Sequence, residues 1–223
     1  MRIFSAPYAI ARMFSSLALV QLLSAQPADP AKEQPGLPPR ATAADYQAQA
    51  KVGSITIGAE FTGHGIPNAQ QPLNSEDYVA VEVGLFGPAG ARFTIGAGEF
   101  SLRINGKKAP SPNQPWGLVA KNVKDLEWVS PDAVPGAPKS KGSVGGAGAG
   151  GGGNDPPPPT PKVPIDTLRG WQLAVRNASL AQGDRALPLA GLIFFPYRGK
   201  VDSIRSLELI YEGPAGTATL TLQ

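Results

Sequence analysis

Ile55, Ile57, Ala59 and Phe61 alternate with Thr56, Gly58, Glu60 and Thr62, so apolar and polar side chains take turns along this stretch. Successive side chains of a strand point to opposite faces, and the pattern predicts a strand with one face in a core. Val79, Val81, Val83 and Leu85 make a second apolar face, while Tyr78, Ala80 and Phe86 make the reverse side partly apolar. Such a strand belongs in a sheet covered on both faces. Phe100, Leu102 and Ile104 alternate with Ser101 and Arg103 and run into Asn105-Gly106. That dipeptide suits the positive φ angles of a tight turn. Trp116, Leu118 and the stretch 126–129 predict further short strands, which closes a first folded block at about residue 131.

The alternation then stops. Eight of the twelve residues from Gly142 to Gly153 are glycine, and Pro156 to Pro159 form an unbroken run. Glycine loses much entropy on ordering and proline removes amide donors, so a long disordered Gly/Pro-rich insertion is expected at about 132–164. Beyond it Trp171, Leu173 and Val175 alternate with Gln172, Ala174 and Arg176. Four strands are predicted there, at Gly170 to Arg176, Ala186 to Phe195, Ser203 to Tyr211 and Thr217 to Leu222. Neither block alone has enough strands to cover both faces of a core. The expectation is therefore an all-β chain in which both blocks complete one antiparallel β-sandwich over residues 51–223.

The motifs VGSITI (52–57), YVAVEVGLF (78–86), FSLRINGKK (100–108), AGLIFFPY (190–197) and SLELIYEG (206–213) carry a resemblance. In their order the chain resembles bacterial extracytoplasmic immunoglobulin-like domains of unknown function, a fold also seen in a small secreted mycobacterial immunogenic protein. The resemblance implies an immunoglobulin-like sandwich and an exported protein, and it transfers no functional residue.

The N-terminus points the same way. Arg2 and Arg12 precede an apolar run from Met13 to Ala25, which is shorter than the roughly 20 apolar residues that span a bilayer. Residues 1–25 read as a cleaved signal peptide, followed by a flexible Pro/Ala-rich spacer over 26–50, in which Ala41 to Ala50 has room for one or two helical turns. The expected location is extracytoplasmic, periplasmic or secreted, with no stable membrane insertion once the leader is removed.

Charge and cysteine content narrow the chemistry. The leader holds two of the 20 basic residues and no acid, leaving 18 basic against 17 acidic residues and a net +1. A near-neutral chain with no basic stripe argues against nucleic acid as a partner. With no cysteine there is no disulfide framework, thiolate nucleophile or cysteine-ligated zinc. His64, between Gly63 and Gly65, is the single histidine and reads as an exposed turn residue. Gly146, Gly148 and Gly151 match G-x-G-x-x-G by composition, without the strand and helix that a dinucleotide site needs. Glu76 and Asp77 are adjacent acids before a strand, and no pair of carboxylates stands at a separation suited to glycoside chemistry. Asn177-Ala178-Ser179 is a glycosylation sequon read as a turn, and Trp116, Trp128 and Trp171 read as packing residues.

No catalytic or metal-binding residue and no cofactor is therefore nominated. Lys107, Lys108, Arg198 and Lys200 fall at expected turn tips, where solvated charge is the ordinary role and contact with an anionic surface the functional one. The expected function is an exported, non-catalytic binding or accessory module of the cell envelope, its partner another envelope protein. A structural component of an envelope assembly and a hydrolytic enzyme with a site hidden from the sequence are the alternatives.

Overall fold

The alternating stretches fold as strands, in a computed structural model that describes residues 36–67, 72–125 and 163–223. The leader, the first part of the spacer, Trp128 with its neighbours, and the glycine and proline tracts up to residue 162 lie outside the described residues. In chain order the strands are β1 (Ala48–Val52), β2 (Ile55–Gly63), β3 (Gly65–Ile66), β4 (Leu73–Ser75), β5 (Tyr78–Phe86), β6 (Arg92–Ile95), β7 (Phe100–Ile104), β8 (Ser111–Pro112) and β9 (Val123–Asp125). One helical turn, α1 (Trp116–Val119), precedes β9. After the insertion come the helix α2 (Ile165–Ala178) and strands β10 (Gly183–Ala186), β11 (Leu189–Pro196), β12 (Leu207–Gly213) and β13 (Gly216–Thr221).

All named strands pair antiparallel. One four-stranded sheet runs β1-β2-β5-β11 and another runs β13-β12-β7-β8. Each combines strands from before and after the insertion, which is why neither block builds a sheet pair alone. The inward faces of both sheets share one core, with Ile57, Val81, Val83 and Leu85 from the first and Phe100, Leu102, Leu209 and Tyr211 from the second. Val79, Val81, Val83 and Leu85 are fully buried, and each such side chain stabilises the fold by about 1.5–3 kcal/mol relative to exposure. Phe100 and Tyr211 pack at 5.1 Å between ring centroids and 49° between planes, a tilted arrangement that favours aromatic pairs.

The expectation of a two-sided β5 is met. Ala80 of β5 and Leu192 and Phe194 of β11 point away from the shared core into a second cluster with Ile66, Leu73, Val119, Val175 and Ala178. That cluster lies under α1, α2 and a small β3-β4-β9 sheet.

Four sequence expectations require correction. Gly170 to Arg176 is not a strand but part of the 14-residue helix α2. The two-residue alternation there spans only three apolar positions. Over the longer window, Leu168, Trp171, Val175 and Ala178 recur at helical spacing, with Val175 and Ala178 buried, whereas Leu173 is 53% exposed. Asp166 in the first turn and Arg176 in the last complement the helix dipole. Trp116 and Leu118 lie on the helical turn α1 rather than on a strand. The stretch Ala186 to Phe195 is two strands, parted at Pro188, which has no amide hydrogen for a ladder. The folded part also starts before Lys51: Ala43–Asp45 forms a 3-10 turn, β1 begins at Ala48, and Tyr46 is buried.

Candidate functional site

One end of the two sheets carries an open depression of about 520 Å³, lined by Asp77, Tyr78, Lys107, Pro196, Tyr197, Arg198 and Gly199. Three separate parts of the chain meet there. Tyr78 opens β5 and pairs with Pro196 at the end of β11, and the Tyr197 amide donates to the Asp77 carbonyl at 2.9 Å, extending that ladder by one step. The third part is the tip after β7. Asn105 (φ 53°) and Gly106 (φ 65°) form the tight turn, closed by the Lys107 amide donating to the Ile104 carbonyl at 3.3 Å. Both residues sit in the left-handed region that asparagine and glycine tolerate.

Asn105 also docks this tip. Its Nδ2 donates to the Ser203 carbonyl at 3.0 Å, and its Oδ1 accepts from the Arg205 amide at 2.6 Å and the Ser206 amide at 3.3 Å. The segment so gripped follows directly on the turn Tyr197 to Lys200. Docking therefore brings Lys107, from the second sheet, to the same depression as Arg198, from the end of the first.

The walls are fixed by hydrogen bonds. The Tyr197 hydroxyl lies 2.6 Å from Ser203 Oγ, which donates to the Lys200 carbonyl at 2.6 Å, so the phenol is held at its far end. The Tyr197 ring passes so close to Gly199 that a side chain there would meet the phenol oxygen at 2.6 Å. His64 stands behind the wall. Its Nδ1 is 2.8 Å from the Tyr78 carbonyl and its Nε2 is 2.9 Å from the Gly199 carbonyl, and its ring stacks on Tyr197 at 6.2 Å and 25°. A neutral ring donates to one carbonyl and a cationic ring to both. His64 is thus a half-buried brace and not the exposed turn residue its glycine neighbours suggest.

The charges of the depression are two cations against one acid. Arg198 Nε contacts Asp77 Oδ1 at 2.8 Å, with the arginine side chain 82% exposed and the aspartate 30%. Lys107, Lys108 and Lys200 are exposed and have no ion-pair partner among the described residues; Lys107 lines the depression, whereas Lys108 and Lys200 do not. Glu76 turns instead to Lys124 at 3.0 Å, so the two adjacent acids before β5 serve different partners.

A second charged cluster lies on the outer face of the first sheet, and sequence reading missed it. Glu60 of β2 and Glu82 of β5 are direct cross-strand neighbours, an arrangement that repels unless a cation bridges it. Arg40 is that cation, pairing with Glu60 and, at 3.2 Å, with Glu82. The hydrogen bond to Glu60, foremost, holds its guanidinium above the usual arginine range, with burial opposing and Glu82 assisting. Its guanidinium also lies 4.5 Å from the Tyr46 ring centroid. Tyr46 in turn covers the facing pair Gly58 and Gly84, where a Cβ would fall 2.6 Å and 2.5 Å from it. The signal was present as one glutamate in each of two otherwise uncharged strands.

Asn177 sits in the last turn of α2 rather than in a turn after a strand. Trp171 packs against the second core, while Trp116 lies 37% exposed with the Arg176 guanidinium 5.9 Å from its ring centroid. Among the described residues no group of three or more His, Asp or Glu side chains converges as a metal site would require, and no helix is long and apolar enough to cross a membrane. Compared with family models, curated proteins and solved structures, the chain finds no match.

Proposed function

We propose that this protein is an exported, non-catalytic binding or accessory module of the cell envelope, built as an immunoglobulin-like sandwich that presents its ligand site at one end. The observation that carries the reading is the braced depression in which Tyr78, Tyr197, Lys107 and Arg198 meet from three distant parts of the chain. Binding residues on connections held by a rigid pair of sheets are the common use of such a scaffold. The single histidine supports a non-catalytic role, because both of its ring nitrogens face backbone carbonyls rather than the depression. A hydrolytic enzyme is the weaker alternative, since the nearest carboxylate, Asp77, is already engaged with Arg198.

A substitution that fills the depression without altering its charge tests the reading. Pro196→Trp places a large side chain at an exposed lining position. The full chain, immobilised, is expected to retain an envelope component that the Pro196→Trp variant, equally stable to heat, does not. Retention that ignores the substitution would defeat this reading.

A structural part in an envelope assembly is the second reading. It is favoured by the five large apolar side chains left exposed among the described residues, Trp116, Leu118, Ile165, Leu168 and Leu173, all of which lie on α1 and α2.

A further inference from the structure

The chemical class of the ligand follows from how Arg198 is held, and this rests on the depression being the binding site proposed above. We infer that the depression takes a saccharide bearing one carboxylate or phosphate, that the Arg198 guanidinium receives the oxyanion, and that Asp77 is the residue that positions it.

Arg198 touches Asp77 through Nε alone. Its two terminal nitrogens make no hydrogen bond among the described residues, and its side chain is four-fifths exposed. With Nε facing the carboxylate, the two terminal nitrogens remain as a fork of donors open to solvent, the group that binds a carboxylate or phosphate through two parallel hydrogen bonds. Asp77 is itself anchored: its carbonyl accepts from the Tyr197 amide, and it precedes the first residue of β5. The acid therefore draws the Nε side of the guanidinium toward itself, which leaves the fork outward, and adds one negative charge to the site. Lys107 supplies a second cation along the same wall, so the site remains net positive with Asp77 in place.

The rest of the lining argues for a body larger than a bare ion. At about 520 Å³ the depression is within the range of small-molecule sites. Tyr78 and Tyr197 are half-buried and line it. With the Tyr197 hydroxyl committed to Ser203, that ring offers its carbon surface, which suits the C–H face of a sugar ring. His64 and the Asn105 tip keep this surface in place before any ligand arrives, so little ordering entropy opposes binding. Acid positioning makes an unusual prediction. If simple charge attraction governed the site, removing Asp77 would strengthen anion binding. If Asp77 aims the fork, removing it weakens binding although the net charge rises.

The test titrates the full chain with glucuronate, glucose 6-phosphate, inorganic phosphate and glucose, following backbone amide signals by NMR. Glucuronate or glucose 6-phosphate, or both, should shift the signals of residues 77–78, 107 and 196–199. Glucose should not, and phosphate alone should bind more weakly than its sugar ester. Of the two charged sugars, the tighter identifies the oxyanion. Arg198→Ala and Arg198→Lys should each lower affinity by roughly tenfold, since the lysine keeps the charge and loses the fork. Asp77→Ala should lower it by several-fold at unchanged melting temperature. Stronger binding in Asp77→Ala, or full affinity in Arg198→Lys, would overturn the positioning role. Binding of glucose as tight as glucuronate, or no shift with any of the four probes, would overturn the anionic class. Neither result touches the wider reading, which stands or falls on whether envelope capture responds to Pro196→Trp.

Discussion

His64 shows how a side chain that looks idle in the sequence becomes a brace. Flanked by glycines, it has no neighbour in the chain with which to do chemistry, yet it ties the start of β5 to the turn after β11 through two carbonyls. The neutral ring donates to one of these carbonyls, and one such hydrogen bond contributes about 0.5–1.5 kcal/mol. His64→Ala is therefore expected to lower stability by that amount in urea unfolding and to shift the amide signals of Tyr78 and Gly199. Glu99 provides the pH dependence. Burial, foremost, raises its carboxyl above the usual value of 4.5, while the Gly96 amide, donating to Oε1 at 2.7 Å, opposes the shift. Its other oxygen is buried without a hydrogen-bond partner. A carboxyl raised on folding contributes stability that is fully present below its unfolded value and is lost as pH rises through its folded value. Glu99→Gln should remove this loss, so the variant gains on the wild type as pH rises above the usual carboxyl value of 4.5 when melting temperatures are compared across pH.

Helix α2 and a strand over the same residues make opposite claims about two side chains. As a strand, Leu173 and Val175 would share one face. As a helix they are 200° apart, with Leu173 in solvent and Val175 in the second core. Leu173→Ala should leave stability nearly unchanged, because alanine favours the helix and little burial is lost. Val175→Ala should cost about 2 kcal/mol for the buried methyl groups and the space they leave. Equal losses at the two positions in denaturant melts would contradict the helix. The exposed apolar side chains of α1 and α2 also explain why periodicity misled here: Leu173 supplies an apolar position with no core behind it.

The segment before β1 and the two sheets form one mechanical system. Residues 36–46 cross the outer face of the first sheet, with Leu37 bridging to Ala190, Arg40 between Glu60 and Glu82, and Tyr46 over the paired glycines. Gln47 continues the connection by donating from Nε2 to the Leu222 carbonyl, which joins the first sheet to the end of the second. Removing Arg40 leaves two facing carboxylates with no cation. Arg40→Ala should lower stability by about 1–3 kcal/mol, and Glu82→Gln in the same chain should restore part of it. A double-mutant cycle by thermal melting checks this coupling; additive losses would show that the cluster does not act as a unit.

Local pattern was enough for the strands β2, β5, β7, β12 and β13, the two-sided burial of β5, the Asn105-Gly106 turn and the need for both halves of the chain to share their sheets. Each of these follows from side-chain direction and backbone sterics, which neighbours in the chain already dictate. The cleft was not legible, because Asp77, Lys107 and Arg198 are brought together by the β5–β11 ladder and by the grip of Asn105 on residues 203–206. Nor were the bracing of His64, the Arg40 cluster or the helical state of α2. The first two depend on which surfaces meet across distant parts of the chain, settled by packing and charge pairing that leave no periodic mark, whereas the helical spacing of α2 was present but masked by the apolar Leu173, which tertiary packing leaves in solvent.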